Sequence, residues 1–324
     1  MTKSSKLGAA AVVALLTPGL LAGCGADKPS ATGADAAGDC PTSPVDVLVS
    51  VDQWGDIVSQ LGGDCAQVRT VLAGSSADPH DYEPAPSDAI AFEGAQLVVV
   101  NGGHYDAWAA KLAASSAPDA PLISAVDLDS DDTDHDHSHD GAHDHDHAGN
   151  PHAWYRPAAV TALADAVTAE LSRLSPEAET YFEARRTEFD ERLRDYHALI
   201  DTLRAEAAGK TYAATETVFD EMAAAAGLQD RTPAGYQAAA SNETDPSPAD
   251  LAALLGLLEG GGVDVLIVNT QTEGAVPDQV RGAARAGGVP VVEVTETVAP
   301  GSDSFQAWQV DQLTALAEAL GVPA

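Results

Sequence analysis

The stretch Val45-Asp46-Val47-Leu48-Val49-Ser50-Val51-Asp52-Gln53-Trp54-Gly55-Asp56-Ile57-Val58-Ser59-Gln60-Leu61-Gly62-Gly63 decides the fold. Its first part, Val45–Val51, is a short apolar run rich in valine, the pattern of a strand covered on both faces. The period then changes. Trp54, Ile57, Val58 and Leu61 recur at helical spacing from Gln53 to Leu61, and Gly62-Gly63 stops the helix.

The same alternation continues outward. Strands are expected at 67–72, 97–100 and 121–126, with helices ending near Phe92 and running from Asp106 to about Ala114. A helix is expected at 158–174. A second set of strands follows at 211–214, 228–231, 263–268 and 291–295, with helices at 218–226, 248–258, 277–286 and 305–320. Alternating strand and helix implies parallel sheets covered on both faces. The fold class is therefore α/β: two parallel-sheet lobes, one at 45–175 and one at 209–324. Between them Pro176 opens a helical pattern over 176–208, with Tyr181, Phe182, Phe189, Leu193, Tyr196, Leu199 and Leu203 at helical spacing. Unbroken, it would be roughly 50 Å long at 1.5 Å per residue, a stiff strut between lobes.

The start of the chain is not fold. Lys3 and Lys6 precede an apolar segment, 7–21, too short for a stable membrane span. It ends in Leu21-Ala22-Gly23-Cys24, which looks like a lipobox. Residues 1–23 then read as a lipoprotein signal peptide, with Cys24 acylated as the mature N-terminus. Residues 24–44, rich in Ala, Gly, Asp, Pro and Ser, read as a flexible tether. The expected location is extracytoplasmic, lipid-anchored to the cell membrane. Two cysteines remain, Cys40 and Cys65. Each precedes a predicted strand, and in an oxidising compartment they are expected to form a disulfide, the alternative being two buried free thiols.

Of the 324 residues 45% are hydrophobic, enough for real cores. Sixteen Lys+Arg stand against 50 Asp+Glu, a formal net charge of -34. No basic stripe exists to displace counterions, so nucleic acid is excluded as a partner, and cations are favoured. A generally acidic proteome would produce part of this charge. The acid is concentrated at 131–147, where Asp alternates with His135, His137, His139, His143, His145 and His147. Imidazole suits zinc, copper, nickel and iron, and a tract this polar cannot fold alone. We read it as a mobile metal-trapping loop, against the blander reading of a solvated acidic loop. His152 lies just past it, after Pro151, where the chain turns apolar.

In parallel α/β sheets ligands sit beyond the carboxyl ends of strands. His80, Glu216 and Glu296 fall just after predicted strands, and His152 follows the fourth strand with the acidic loop between. Two histidines and two carboxylates make a set that zinc accepts tetrahedrally and that manganese also accepts.

Several motifs together resemble the solute-binding lipoproteins of ATP-driven zinc and manganese importers. They are Gly62-Gly63-Asp64, then Asp78-Pro79-His80-Asp81-Tyr82-Glu83-Pro84 with Pro86-Ser87-Asp88, then Asn101-Gly102-Gly103, and Asn150-Pro151-His152-Ala153-Trp154. The resemblance runs from the lipobox to the last helix. It implies two small α/β lobes joined by one rigid helix, with one divalent metal bound between them. It implies that His80 and His152 are the first two ligands. The third position is usually His in zinc members and Glu in many manganese members; here it is Glu216, in Thr215-Glu216-Thr217. The fourth is usually Asp; here Glu296 stands there, in competition with Glu293 and Asp303. The His-rich loop favours Zn2+ over Mn2+, because hard cations gain little from six imidazoles. The resemblance implies a monomer that hands its metal to the membrane permease of an ABC importer, not an enzyme. A metallohydrolase reading finds no His-Glu-x-x-His, and the prolines around His80 and Glu83 prevent the helix such motifs use. A surface adhesin is a third reading, with nothing in the sequence that specifies a receptor.

Overall fold

The computed structural model describes residues 39–74, 80, 82–128, 150–242, 244–272 and 274–323. The signal peptide with Cys24, most of the tether, and the His-rich tract with its six histidines lie outside the described residues.

Among the described residues eight strands form two four-stranded parallel sheets. The first has the order β2-β1-β3-β4, from β1 (Val45–Val51), β2 (Ala66–Leu72), β3 (Leu97–Val100) and β4 (Leu122–Ser124). The second has the order β6-β5-β7-β8, from β5 (Thr211–Ala214), β6 (Gln229–Asp230), β7 (Val265–Asn269) and β8 (Val291–Val294). Registers such as Leu48↔Val98 and Ala213↔Leu266 fix the central pairs. In each sheet the chain leaves the first strand to one side and returns on its other side. The crevices beyond β1/β3 and β5/β7 are therefore the places where ligands are held.

The unbroken apolar strands follow from coverage on both faces. Along β1, Val47, Val49 and Val51 enter one large core, while Leu48 enters another with Val98, Val100 and Trp108. The large core also takes Tyr212, Val265 and Ile267 from the second sheet. The opposite face of that sheet, at Ala213, Leu266 and Val268, packs on Leu254, Leu258 and Val280. These come from α9 (Pro248–Glu259) and α10 (Ala275–Gly287).

Local chemistry sets the helix ends. The helix α11 (Phe305–Leu320) starts where Ser304 Oγ accepts the Ala307 N–H at 3.1 Å. It stops at Gly321, which takes the left-handed conformation glycine tolerates. Cys40 and Cys65 are joined, with S–S 2.00 Å and Cα–Cα 5.2 Å, so the bond ties the chain before β1 to the start of β2.

Two features differ from the expected pattern. The 176–208 stretch is not one helix. A short 3-10 turn at Pro176–Ala178 leads into α5 (Glu179–Arg192), and Leu193, at φ -79° and ψ -5°, separates it from α6 (Arg194–Glu206). The two halves pack on different neighbours. α5 lies against α1 (Asp52–Gly62) and α4 (Pro157–Leu174), and α6 lies against α11. The joint at buried Leu193 lets each half keep its own apolar side inward. The second difference is an unexpected helix, α8 (Ala234–Ser241), which follows Pro233 and inserts Tyr236 into the core. Among the described residues no helix is long and apolar enough to cross a membrane.

Candidate metal centre

His80 stands at the end of the loop that leaves β2. Six residues before it, the Gly74 N–H donates to Asp52, at the start of α1, at 2.6 Å. Beyond it, Asp88 accepts both the Tyr82 hydroxyl and the Ala85 N–H at 2.7 Å. Tyr82 in turn lies edge-on to Trp108, with ring centroids 4.9 Å apart. The His80 ring stands edge-to-face on Tyr105 at 4.7 Å. Among the described residues, His80 is thus framed by the Tyr105 ring and by the Tyr82–Asp88 bond two residues on.

His152 is held more tightly. Asp106 accepts the N–H groups of Asn101 (2.7 Å) and Gly102 (2.8 Å), which fixes the turn after β3. Gly102 has φ +90°, and a Cβ there would lie 2.0 Å from Ser124 Oγ, so only glycine fits. Asn101 then accepts from Trp54 Nε1 at 3.0 Å and donates to the Pro151 carbonyl at 2.8 Å, locking the residue before His152. Asn150 donates its amide N–H to the Thr217 carbonyl at 2.6 Å. Its Oδ1 therefore faces His152, where it takes the backbone N–H at 3.1 Å and meets Nδ1 at 2.6 Å. Nδ1 must carry the proton, which leaves the Nε2 lone pair for a metal.

Burial, and secondarily the neighbouring His80, pushes the His152 pKa down to about 3. The ring stays neutral in the folded protein while it takes a proton below about 6.5 when unfolded. The contribution to stability is complete above pH 6.5 and is lost as pH falls from there toward 3. Metal-free protein is expected to lose up to roughly 1.4 kcal/mol per pH unit from this ring across that window. Urea midpoints at several pH values check this, with a His152→Gln variant that should lose less on acidification.

Glu296 follows β8. Its backbone is held from both halves of the chain: Gln53, in the first turn of α1 just past β1, donates to its carbonyl at 2.6 Å, and Gln271 Oε1, just past β7, accepts its N–H at 2.6 Å. Gln53 also donates to the Tyr105 hydroxyl at 3.1 Å. Burial, with the nearby Glu296 charge second, raises the Tyr105 pKa well above its usual value, so this ring stays a neutral phenol beside both histidines.

One ligand atom each from His80, His152 and Glu296 lies within 4.8 Å of the others. The two imidazole centroids are 5.9 Å apart. Glu216, just past β5, reaches this trio indirectly. Asn269 Nδ2 donates to Glu216 Oε2 at 2.7 Å and to Glu296 Oε1 at 2.8 Å, and the Thr272 hydroxyl donates to Glu216 Oε1. The structure thus brings three of the four expected ligands together and sets the fourth one amide away. Asp52, Gln53 and Asn269 are not singled out by any sequence motif, whereas Asn150 belongs to the Asn150–Trp154 motif. The available signal was position: Asp52, Gln53 and Asn269 all stand at carboxyl ends of strands flanking the two crevices.

Two parallel sheets with paired imidazoles and a carboxylate from opposite halves define a metal solute-binding protein. The chain belongs to the ZnuA family, zinc-uptake complex component A, periplasmic, whose model matches residues 47–319. It is thus an extracytoplasmic binding protein of the kind that delivers a divalent metal to an ABC importer. The chain is 30% identical over 240 residues to the "high-affinity zinc uptake system protein ZnuA" of Bacillus subtilis (strain 168), covering 72% of each chain. It is 27% identical over 148 residues, 44% of this chain and 40% of the relative, to the "manganese-binding lipoprotein MntA" of Halalkalibacterium halodurans. The solved periplasmic zinc-binding protein TroA from Treponema pallidum shares the fold with TM-score 0.69 at 14% identity, over 86% of this chain and 99% of that one.

Proposed function

We propose that the protein captures one Zn2+ ion with His80, His152 and Glu296, that Glu216 completes the set, and that the ion is passed to a membrane permease. The supporting observation is the 4.8 Å grouping of His80, His152 and Glu296. Ligands on a tetrahedral zinc stand roughly 3.4 Å apart when the bonds are about 2.0–2.1 Å. Loading then requires side-chain movement on the order of 1 Å, not a large closure. The zinc-uptake relative and the imidazole pair favour zinc; the carboxylate-rich set and the MntA relative make Mn2+ the competitor. We also propose that Cys24 carries the lipid anchor and that the protein acts as a monomer, as one lobe at 45–175 and one at 209–324 joined by 176–208.

Metal analysis and chelator competition on the purified protein test this, with Glu216→Gln and Glu296→Gln in turn. One equivalent of zinc, held more tightly than manganese and weakened by each variant, is the expected result. Sub-micromolar manganese binding with negligible zinc binding would overturn the choice of metal.

The acidic His-rich tract acts as a weak multivalent trap that raises the local zinc concentration. Deleting 131–147 is expected to slow capture at low zinc and to lower total zinc stoichiometry, while the Kd of the tight site changes less than threefold. Abolition of tight binding by that deletion would contradict the separation of trap and site.

A further inference from the structure

We propose that Asn269 is a positioning residue for the metal site, holding Glu216 and Glu296 as one acidic pair opposite the two histidines; the inference rests on the metal-site reading above. Asn269 is the last residue of β7, at the crevice where the order of the second sheet reverses, and it is 3% exposed. Both hydrogens of its amide are committed: one to Glu216 Oε2 at 2.7 Å, the other to Glu296 Oε1 at 2.8 Å. Its Oδ1 accepts the Gln271 N–H at 3.0 Å, which forbids the flipped amide. Its own N–H goes to Thr215 Oγ1 at 3.2 Å, next to Glu216. One side chain therefore sets the spacing of two carboxylates that come from positions 80 residues apart in the chain.

The choice of an amide follows from charge. Two neighbouring carboxylates repel each other until a cation arrives, so they need a shared donor. Lysine or arginine would supply one, but with a positive charge competing against the incoming dication. Aspartate would add a third negative charge and no donor. Only a neutral side chain with two hydrogens on one atom steadies the pair and leaves its negative potential for the metal.

The test compares wild type with Asn269→Ala, Asn269→Asp and Asn269→Ser. Zn2+ affinity is read by chelator competition, and coordination by the visible absorption of the Co2+-loaded protein. Loss of an outer partner typically costs about 10–100-fold in metal affinity. Asn269→Ala is expected to fall in that range with an altered Co2+ band. Asn269→Asp should be weaker still and Asn269→Ser intermediate; the serine variant also covers failure of the aspartate variant to fold. A merely structural role would lower the thermal midpoint of metal-free protein and leave the Co2+ band of folded protein unchanged, which overturns the inference. So would zinc binding within twofold of wild type in both the alanine and serine variants. Failure of the wild type itself to bind zinc would instead overturn the metal-site reading beneath it.

Discussion

Replacing His152 with alanine is expected to weaken zinc binding more than 100-fold, beyond the roughly 10–100-fold that loss of a supporting partner causes. This ring is the more constrained of the two imidazoles. It is buried, its Nδ1 proton is fixed by Asn150, and the preceding carbonyl is held by Asn101. A neutral, pre-aimed lone pair loses little conformational entropy on binding, so its removal has no cheap substitute. The same change should not unfold the protein, because the ring contributes contacts at the cleft rather than in the middle of a core. Chelator competition gives the affinity and far-ultraviolet circular dichroism checks the fold. A variant that keeps zinc within tenfold of wild type would show that His152 is not a ligand.

The second large effect lies in the support beneath the site. Trp54 is fully buried, stands edge-on to Trp154 at 6.5 Å between centroids, and donates to Asn101. Trp54→Ala removes a large aromatic from a packed core, a loss of about 3–5 kcal/mol. It also leaves Asn101 Oδ1 without its donor, and Asn101 is the residue that holds Pro151. Stability measured by urea unfolding and zinc affinity should therefore fall together. Trp54→Phe, which restores most of the volume but not the N–H, should recover most of the stability and less of the affinity. Equal recovery of both would remove the Trp54–Asn101 bond from the account of how His152 is aimed.

Much of this was legible in the chain. The strands Leu97–Val100 and Thr211–Ala214 have the bounds their apolar runs predict, and Ser304 and Gly321 mark both ends of the last helix. His80 and His152 were legible because their motifs carry local instructions: prolines, a capping Asp88, an Asn two residues before the ring. What was hidden is tertiary. The break at Leu193 depends on α5 and α6 meeting different neighbours, which no helical periodicity records. The helix at Ala234–Ser241 is alanine-rich and contributes little apolar contrast beyond Tyr236, so its pattern is faint. Gln53 reaches Glu296 across 243 residues, and Asn269 joins two carboxylates from separate strand ends. Both read in sequence as ordinary polar residues after a strand. Only the sheet order makes them neighbours.

On this reading, imidazoles from one half and carboxylate from the other close on a single dication. A crystal structure of the zinc-loaded protein, with anomalous scattering recorded on both sides of the zinc absorption edge, tests it most directly. One strong peak is expected about 2.0–2.1 Å from Nε2 of His152 and from a ring nitrogen of His80, with Glu296 oxygen at about 2.0–2.2 Å. A zinc peak that touches only one of these histidines, or none, would contradict it.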